Sequence, residues 1–342
     1  MKFEEILKTK EYRERIIKYF RLPIRLSVSE EKFKSDLEYI QETEPNFYEE
    51  MKQMVESDFN ELILEQSTET PDFTFESILN PIVEEFRGTK KWQEFLTKDF
   101  SEEIKKCQGA SSVSGFYKPD NSEKCFLSID LVSANWQTLQ NILGFKESYE
   151  ELISKYTDKK IPLTSKTIRT KISGLLSAKE IMVYNKYLLL SKKEEILVKL
   201  KEETGIDFAS EIPVAFYADE FILEISQEQA IKLLSLDLDE LSKKVEEVGI
   251  KVHIRPFFMK KLDLEKGYIK FHKVGYEIIG LSKDALMILN KIHNQVEVKE
   301  VDFEKISLGK RTKEEYLLEV EARLKTLIQE DAKWRKSQAA LN

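Results

Sequence analysis

The stretch "FLSIDLVSANWQTL", Phe126 to Leu139, sets one carboxylate, Asp130, between an apolar strand-like run and an amphipathic helix-like run. A second pair, Asp219 and Glu220, stands between the two apolar runs of "IPVAFYADEFILEIS", Ile212 to Ser226. Carboxylates at strand ends can hold a divalent cation. An Asp ahead of a helix is also a common N-cap, and an Asp-Glu between strands is also an ordinary exposed turn. With 62 acidic residues in the chain, either motif taken alone leaves these readings open. If the fold brings the motifs together, like charges repel and raise each other's pKa unless a cation intervenes. Hard oxygen donors suit Mg²⁺ or Mn²⁺. Two such ions about 3.5 to 4 Å apart activate a 3'-hydroxyl and stabilise a leaving pyrophosphate in an in-line displacement. That chemistry is nucleotidyl transfer.

The elements that must position these groups follow from pattern and punctuation. Residues 1 to 105 read as helices rich in Glu and Lys, as in "SEEKFKSDLEYIQ" from Ser29, where Phe33, Leu37 and Ile40 keep helical spacing; Pro23, Pro71 and Pro81 divide the region. Turn residues then cluster in "CQGASSVSGFYKPDNSEKCFLSIDLV", which uses β-hairpin vocabulary. From there the pattern predicts a strand over Cys125 to Leu131, a helix over Ser133 to Leu143, and helix over Ser165 to Glu203 broken near Gly174 and Ser177. Two strands joined at Ala218-Asp219-Glu220 come next, followed by a helical stretch ended by Gly249 and a strand from Ile250 to Arg255 halted by Pro256. With the inserted helices set aside, the order is βαββαβ, a split-βαβ or ferredoxin-like α+β arrangement that makes Asp130 and Asp219 neighbours. A further hairpin around Val274-Gly275 follows. The tail opens with a capping box, Thr312 to Glu315, and carries Leu317, Val320, Leu324, Leu327 and Trp334 on one stripe. Three regions result: a helical region at 1–105, the α+β region at 106–262, and a hairpin plus C-terminal helix at 263–342.

In this setting Asp130 of "SIDLVSAN" resembles motif A of right-hand (palm) nucleic-acid polymerases, including reverse transcriptases and RNA-dependent RNA polymerases. "FYADEFILEI" resembles their motif C, with Asp-Glu where many relatives carry Asp-Asp, and "TSKTIRTKISGLL" stands in the place of motif B. The resemblance covers roughly residues 111 to 262. The Asp, Ser-Lys-x-x-Arg and Asp-Glu series also resembles that of uncharacterised proteins of large DNA viruses and phages. The resemblance implies a palm domain with Asp130 and Asp219 as catalytic metal ligands, Glu220 as a weaker or alternate one, and Mg²⁺ or Mn²⁺ as the ion. Lys166, Arg169 and Lys171 would meet the triphosphate, and Asn135 would face the sugar and tolerate a ribose 2'-hydroxyl. Partners would be a nucleic-acid primer or template and nucleoside triphosphates, and the C-terminal region would act as a thumb. The alternatives are a non-catalytic ferredoxin-like module that binds nucleic acid or a protein, and a metal-dependent nuclease built on similar carboxylates.

Composition narrows the field. The 342 residues suggest two or three packed units, and 41% apolar with 34% charged residues but only 11 Gly and 8 Pro describes a helix-rich globular chain. A formal charge of −8 argues against non-specific coating of nucleic acid, although basic residues bunch at Lys155 to Lys171 and Lys251 to Lys273, each readable as a solvated face. No apolar run approaches the roughly 18 to 20 residues of a membrane helix, and the opening is too charged for a secretory signal, so an intracellular protein with no membrane partner is expected. Cys107 and Cys125 suggest neither a disulfide framework nor a thiolate zinc site. His253, His272 and His293 lack metal-site spacing, and Walker A, GxGxxG and GxSxG motifs are absent. Trp136, Phe257 and Phe258 suit core packing better than base stacking.

Overall fold

Helical periodicity in the first hundred residues and short apolar runs after residue 120 produce a mixed α+β protein. In chain order the elements are α1 (Phe3–Lys8), α2 (Lys10–Tyr19), α3 (Glu30–Thr43), α4 (Pro45–Met54), α5 (Phe73–Gly88), α6 (Lys90–Leu96), α7 (Ser101–Lys106), β1 (Lys124–Leu131), α8 (Ala134–Leu143), α9 (Tyr149–Ile153) and α10 (Lys166–Thr204). Then come β2 (Pro213–Phe216), β3 (Glu220–Ile225), α11 (Gln227–Ser235), α12 (Leu238–Val245), β4 (Val252–Lys261), β5 (Tyr268–Phe271), β6 (Tyr276–Ile279) and α13 (Lys283–His293). The computed structural model describes residues 3–20, 26, 28–59, 73–106, 115–158, 163, 166–208, 213–262, 267–273, 276–281, 283–294, 297–299, 302, 312–318, 320–322, 325, 326 and 329. Pro23, Pro71, Cys107, Ser165, Ile212, the Val274-Gly275 turn, Leu324, Leu327 and Trp334 lie outside the described residues.

The chain divides into two compact units, 1–93 with 145–177 and 282–321, and 94–144 with 178–281 and 322–342. The boundary inside α10 falls at its break, where Ser177 leaves helical geometry for extended backbone (φ −172°, ψ 86°), as its sequence predicts.

In the first unit α3 buries Phe33, Leu37 and Ile40, the stripe its spacing predicts. Pro81 does not divide the region: it sits inside α5. A proline there costs about 3 kcal/mol, and the flanking Leu79, Ile82, Val83 and Phe86 offset it by burial. Thr312 and Glu315 form the expected reciprocal cap, with Glu315 N–H donating to Thr312 Oγ1 at 3.2 Å. The buried side of that short helix carries Tyr316 and Val320.

The second unit holds one antiparallel six-stranded sheet in the order β2-β3-β1-β4-β5-β6. β5 and β6 extend the same sheet past β4. One face buries Leu127, Ile129, Phe221, Leu223, Val252 and Ile254, and α11 and α12 pack on β1 and β4. On the other face Phe126, Ile222, Phe257 and Met259 form a cluster with Phe116 and Tyr268. That cluster fills the half of the face away from Asp130. β4 is not halted at Pro256 but runs ten residues through it. The Val132 N–H to Lys251 O hydrogen bond fixes the alternation of the β1–β4 ladder, which makes Leu127–Pro256 a non-hydrogen-bonded pair. The missing proline N–H therefore faces away from β1, and pairing with β5 begins only at Phe258.

Candidate functional site

Asp130 is a strand residue, not a helix cap. The N-cap of α8 is Ser133, in the left-handed region at φ 49°. A non-glycine residue there costs on the order of 1 kcal/mol or more, and it turns the chain sharply from β1 into α8.

The hairpin β2–β3 lies directly beside β1, so two motifs distant in sequence meet. Leu131 N–H donates to the Asp219 carbonyl at 2.8 Å, which makes 131–219 a hydrogen-bonded pair and the adjacent Asp130–Glu220 pair non-hydrogen-bonded. In such a pair the Cα atoms are about 4.5 Å apart and the side chains stand together on one face. Two carboxylates thus oppose each other across the ladder, an arrangement that is unfavourable without a partner of opposite charge. Ser128, two residues before Asp130 on the same face and itself buried, donates its hydroxyl to Glu220 Oε1 at 2.5 Å. Tyr217 N–H donates to the Glu220 carbonyl at 2.8 Å and closes the hairpin with Ala218 and Asp219 at its tip.

Side chains that local pattern does not reveal brace this geometry. Gln137 is buried and clamps two strand ends. Its amide donates to the Val132 and Lys251 carbonyls and its oxygen accepts from Lys251 N–H. Asn135 Oδ1 accepts from Asn185 Nδ2 at 2.9 Å, and Asn185 Oδ1 accepts from the Thr138 hydroxyl, so α8 is stitched to the second part of α10. Trp136 and Phe257 are buried, in line with packing rather than stacking.

On the other side of β1, His253 stands opposite Asp130 and Arg255 opposite Ser128. Burial first, then the neighbouring Arg255 charge, lowers the His253 pKa, against a smaller opposing effect of Asp239. Burial raises Tyr117, and the charges of Glu220 and Glu277 add to it. Lys270, within the basic stretch from Lys251 to Lys273, is not solvated. It is buried with its ammonium 4.9 Å from the Phe257 ring centroid and 5.4 Å from that of Tyr117, and 3.9 Å from Glu277.

Lys166, Arg169 and Lys171 lie on the first part of α10, in the first unit, where the Arg169 guanidinium sits 5.8 Å from the Tyr149 ring centroid. Cys125 is a free, buried thiol that burial pushes up to about 11. In a Cys107→Ser variant, Ellman's reagent is therefore expected to leave Cys125 unmodified for many minutes at pH 8 and to react at once on denaturation. Immediate reaction of the native protein would contradict this burial.

Among the described residues no group of three or more His, Cys, Asp or Glu side chains is gathered to hold a metal ion. A carboxylate pair nevertheless suits Mg²⁺, which is usually bound through one or two carboxylates and completes its shell with water and substrate phosphates. Among the same residues no helix is long and apolar enough to cross a membrane. The chain matches no family model, and no curated protein matches its sequence.

Proposed function

We propose that this protein is a metal-dependent nucleotidyltransferase of the palm type that adds nucleotides to the 3'-hydroxyl of a nucleic-acid strand. The observation that carries the reading is the placement of the β2–β3 turn against the end of β1, with Glu220 opposite Asp130 and the Asp219 carbonyl on Leu131 N–H. The strand order β2-β3-β1-β4, with helices after β1 and β3, also supports it, since it is the order that a ferredoxin-like palm requires.

In this reading the facing pair Asp130 and Glu220 would hold Mg²⁺ or Mn²⁺, and Asp219, one residue along the hairpin from Glu220, is not gathered with them as a third donor. When bound, the ion lowers the pKa of an attacking hydroxyl and neutralises charge on the leaving pyrophosphate. Ser128 fixes the rotamer of Glu220 so that its second oxygen is available, and Gln137 keeps the strand ends from separating. Asn135, its oxygen engaged by Asn185, retains its amide N–H groups for a sugar hydroxyl. The competing reading, a non-catalytic module, draws on the lack of a third clustered donor among the described residues.

Metal binding separates the two. Titration of Mn²⁺ followed by electron paramagnetic resonance is expected to show a bound ion at micromolar to millimolar concentrations, lost in Asp130→Asn. A chain that leaves Mn²⁺ free across that range is the module and not the enzyme.

A further inference from the structure

We propose that Arg255 is the phosphate-binding group of the carboxylate face, taking the polyphosphate of a nucleoside triphosphate whose reacting end meets Asp130 and Glu220. The inference rests on the function proposed above for those carboxylates. The register places it: the hydrogen-bonded Val132–Lys251 pair makes 130–253 and 128–255 hydrogen-bonded pairs as well, so Arg255, Ser128, Asp130 and Glu220 share one face of the sheet. The Arg255 Cα stands about 5.5 Å across the ladder from that of Ser128, and about 7 Å along the strand from the level of Asp130. A side chain of arginine's length covers that span.

The partners around it are already committed. The Ser128 hydroxyl goes to Glu220, not to the guanidinium. Glu277, whose pKa is lowered first by a hydrogen bond to His272 and then by the charges of Lys270, His272 and Arg255, has His272 at 3.7 Å and Lys270 at 3.9 Å. Arg255 itself is exposed, and among the described residues it makes no hydrogen bond and no ion pair within 4.0 Å. An arginine one strand from Asp130 and two strands from Glu220, yet paired with neither, presents its planar fork of donors to a ligand. Phosphate oxygens match that fork in charge and geometry. On a chain of net charge −8 such a group also offsets the repulsion that a polyphosphate meets on approach.

The test is isothermal titration of the full chain with inorganic tripolyphosphate in the presence of Mn²⁺, for wild type, Arg255→Ala and Arg255→Lys, each checked for an unchanged melting temperature. Wild type is expected to bind, Arg255→Ala at least tenfold more weakly, and Arg255→Lys in between. Equal binding by wild type and Arg255→Ala, or no binding by wild type, overturns the assignment. A parallel primer-extension assay separates it from the function: extension with Arg255-independent binding leaves the function and removes Arg255. Arg255-dependent binding by a protein that extends no primer leaves the phosphate site and removes the polymerase.

Discussion

Asp130→Asn is expected to lower metal-dependent nucleotide addition by about three orders of magnitude, roughly 4 kcal/mol of barrier, while leaving the chain folded. Asp130 faces Glu220 across a non-hydrogen-bonded pair at the end of β1. No cap is lost, because Ser133 and not Asp130 begins α8. The Asp130 charge is what holds the ion, so its loss removes the chemistry. Glu220→Gln is expected to follow in activity. Primer extension and thermal unfolding of the same preparations measure both halves. Activity retained in Asp130→Asn would remove this residue from the site, and an unfolded Asp130→Asn would show that the carboxylate serves the fold.

The largest expected effect on stability lies in the first unit, at Asp302. Its buried carboxylate accepts from Lys291 Nζ at 2.9 and 3.0 Å, from Lys32 Nζ at 3.0 Å and from Lys299 N–H at 2.8 Å. Lys32 also donates to Asp36 at 3.0 Å and Lys291 to Ser35 at 2.8 Å, so two ammonium and two carboxylate groups form a buried network that joins α3 and α13 to Asp302. Asp302→Asn leaves the two lysines facing one carboxylate, and removing one partner from a buried pair costs about 3 to 5 kcal/mol. Urea unfolding followed by Trp92, in a background where it is the only tryptophan, reads this unit. A loss below about 1 kcal/mol, the range of an exposed pair, would contradict the buried network.

The pH dependence has a definite sign. Burial raises the Asp302 pKa, but hydrogen bonds from Lys291, the Lys299 amide and Lys32 outweigh it and hold the carboxyl below its usual value. A depressed carboxylate contributes stability above its unfolded pKa, about 3.9, which is lost as pH falls through the folded value. For Lys32 burial works downward, but the charges and hydrogen bonds of Asp36 and Asp302 raise it overall. Its contribution is complete below the unfolded lysine value and is lost as pH rises through the folded one. The network is therefore expected to stabilise the unit on a plateau between the carboxylate and lysine ranges. In Asp302→Asn the acid limb contributed by Asp302 disappears.

Local signals in the sequence carried the strands at 124–131, 213–216 and 220–225, the break at Ser177 and the cap at Thr312, because each depends on residues within a few positions of one another. Register is a different kind of information. A slip of one residue turns every side chain to the opposite face, so the opposition of Asp130 to Glu220 rather than to Asp219 could not be read from spacing. The brace residues Ser128, Gln137 and Asn185 escaped notice for the same reason, since each acts on a partner distant in sequence. A faint signal existed for Ser128: a small polar residue in the middle of an otherwise apolar strand needs a buried partner. Pro81 and Pro256 misled because the rule against proline concerns a missing donor and local sterics. Packing offset the first, and a position of β4 whose N–H side faces away from β1, ahead of the start of pairing with β5, accommodated the second. Lys32 and Asp36 had the i, i+4 spacing of a solvated helix face, and only Asp302, far along the chain, makes them a buried cluster.

The most direct test of nucleotidyl transfer is a gel assay with purified protein, a labelled primer on DNA and on RNA templates, Mg²⁺ or Mn²⁺, and NTPs or dNTPs in parallel. A metal-dependent ladder above the primer is expected, with NTPs accepted if the Asn135 amide meets the 2'-hydroxyl. Shortening of the labelled strand would make the carboxylates those of a nuclease, and an unchanged band from folded protein would contradict catalysis.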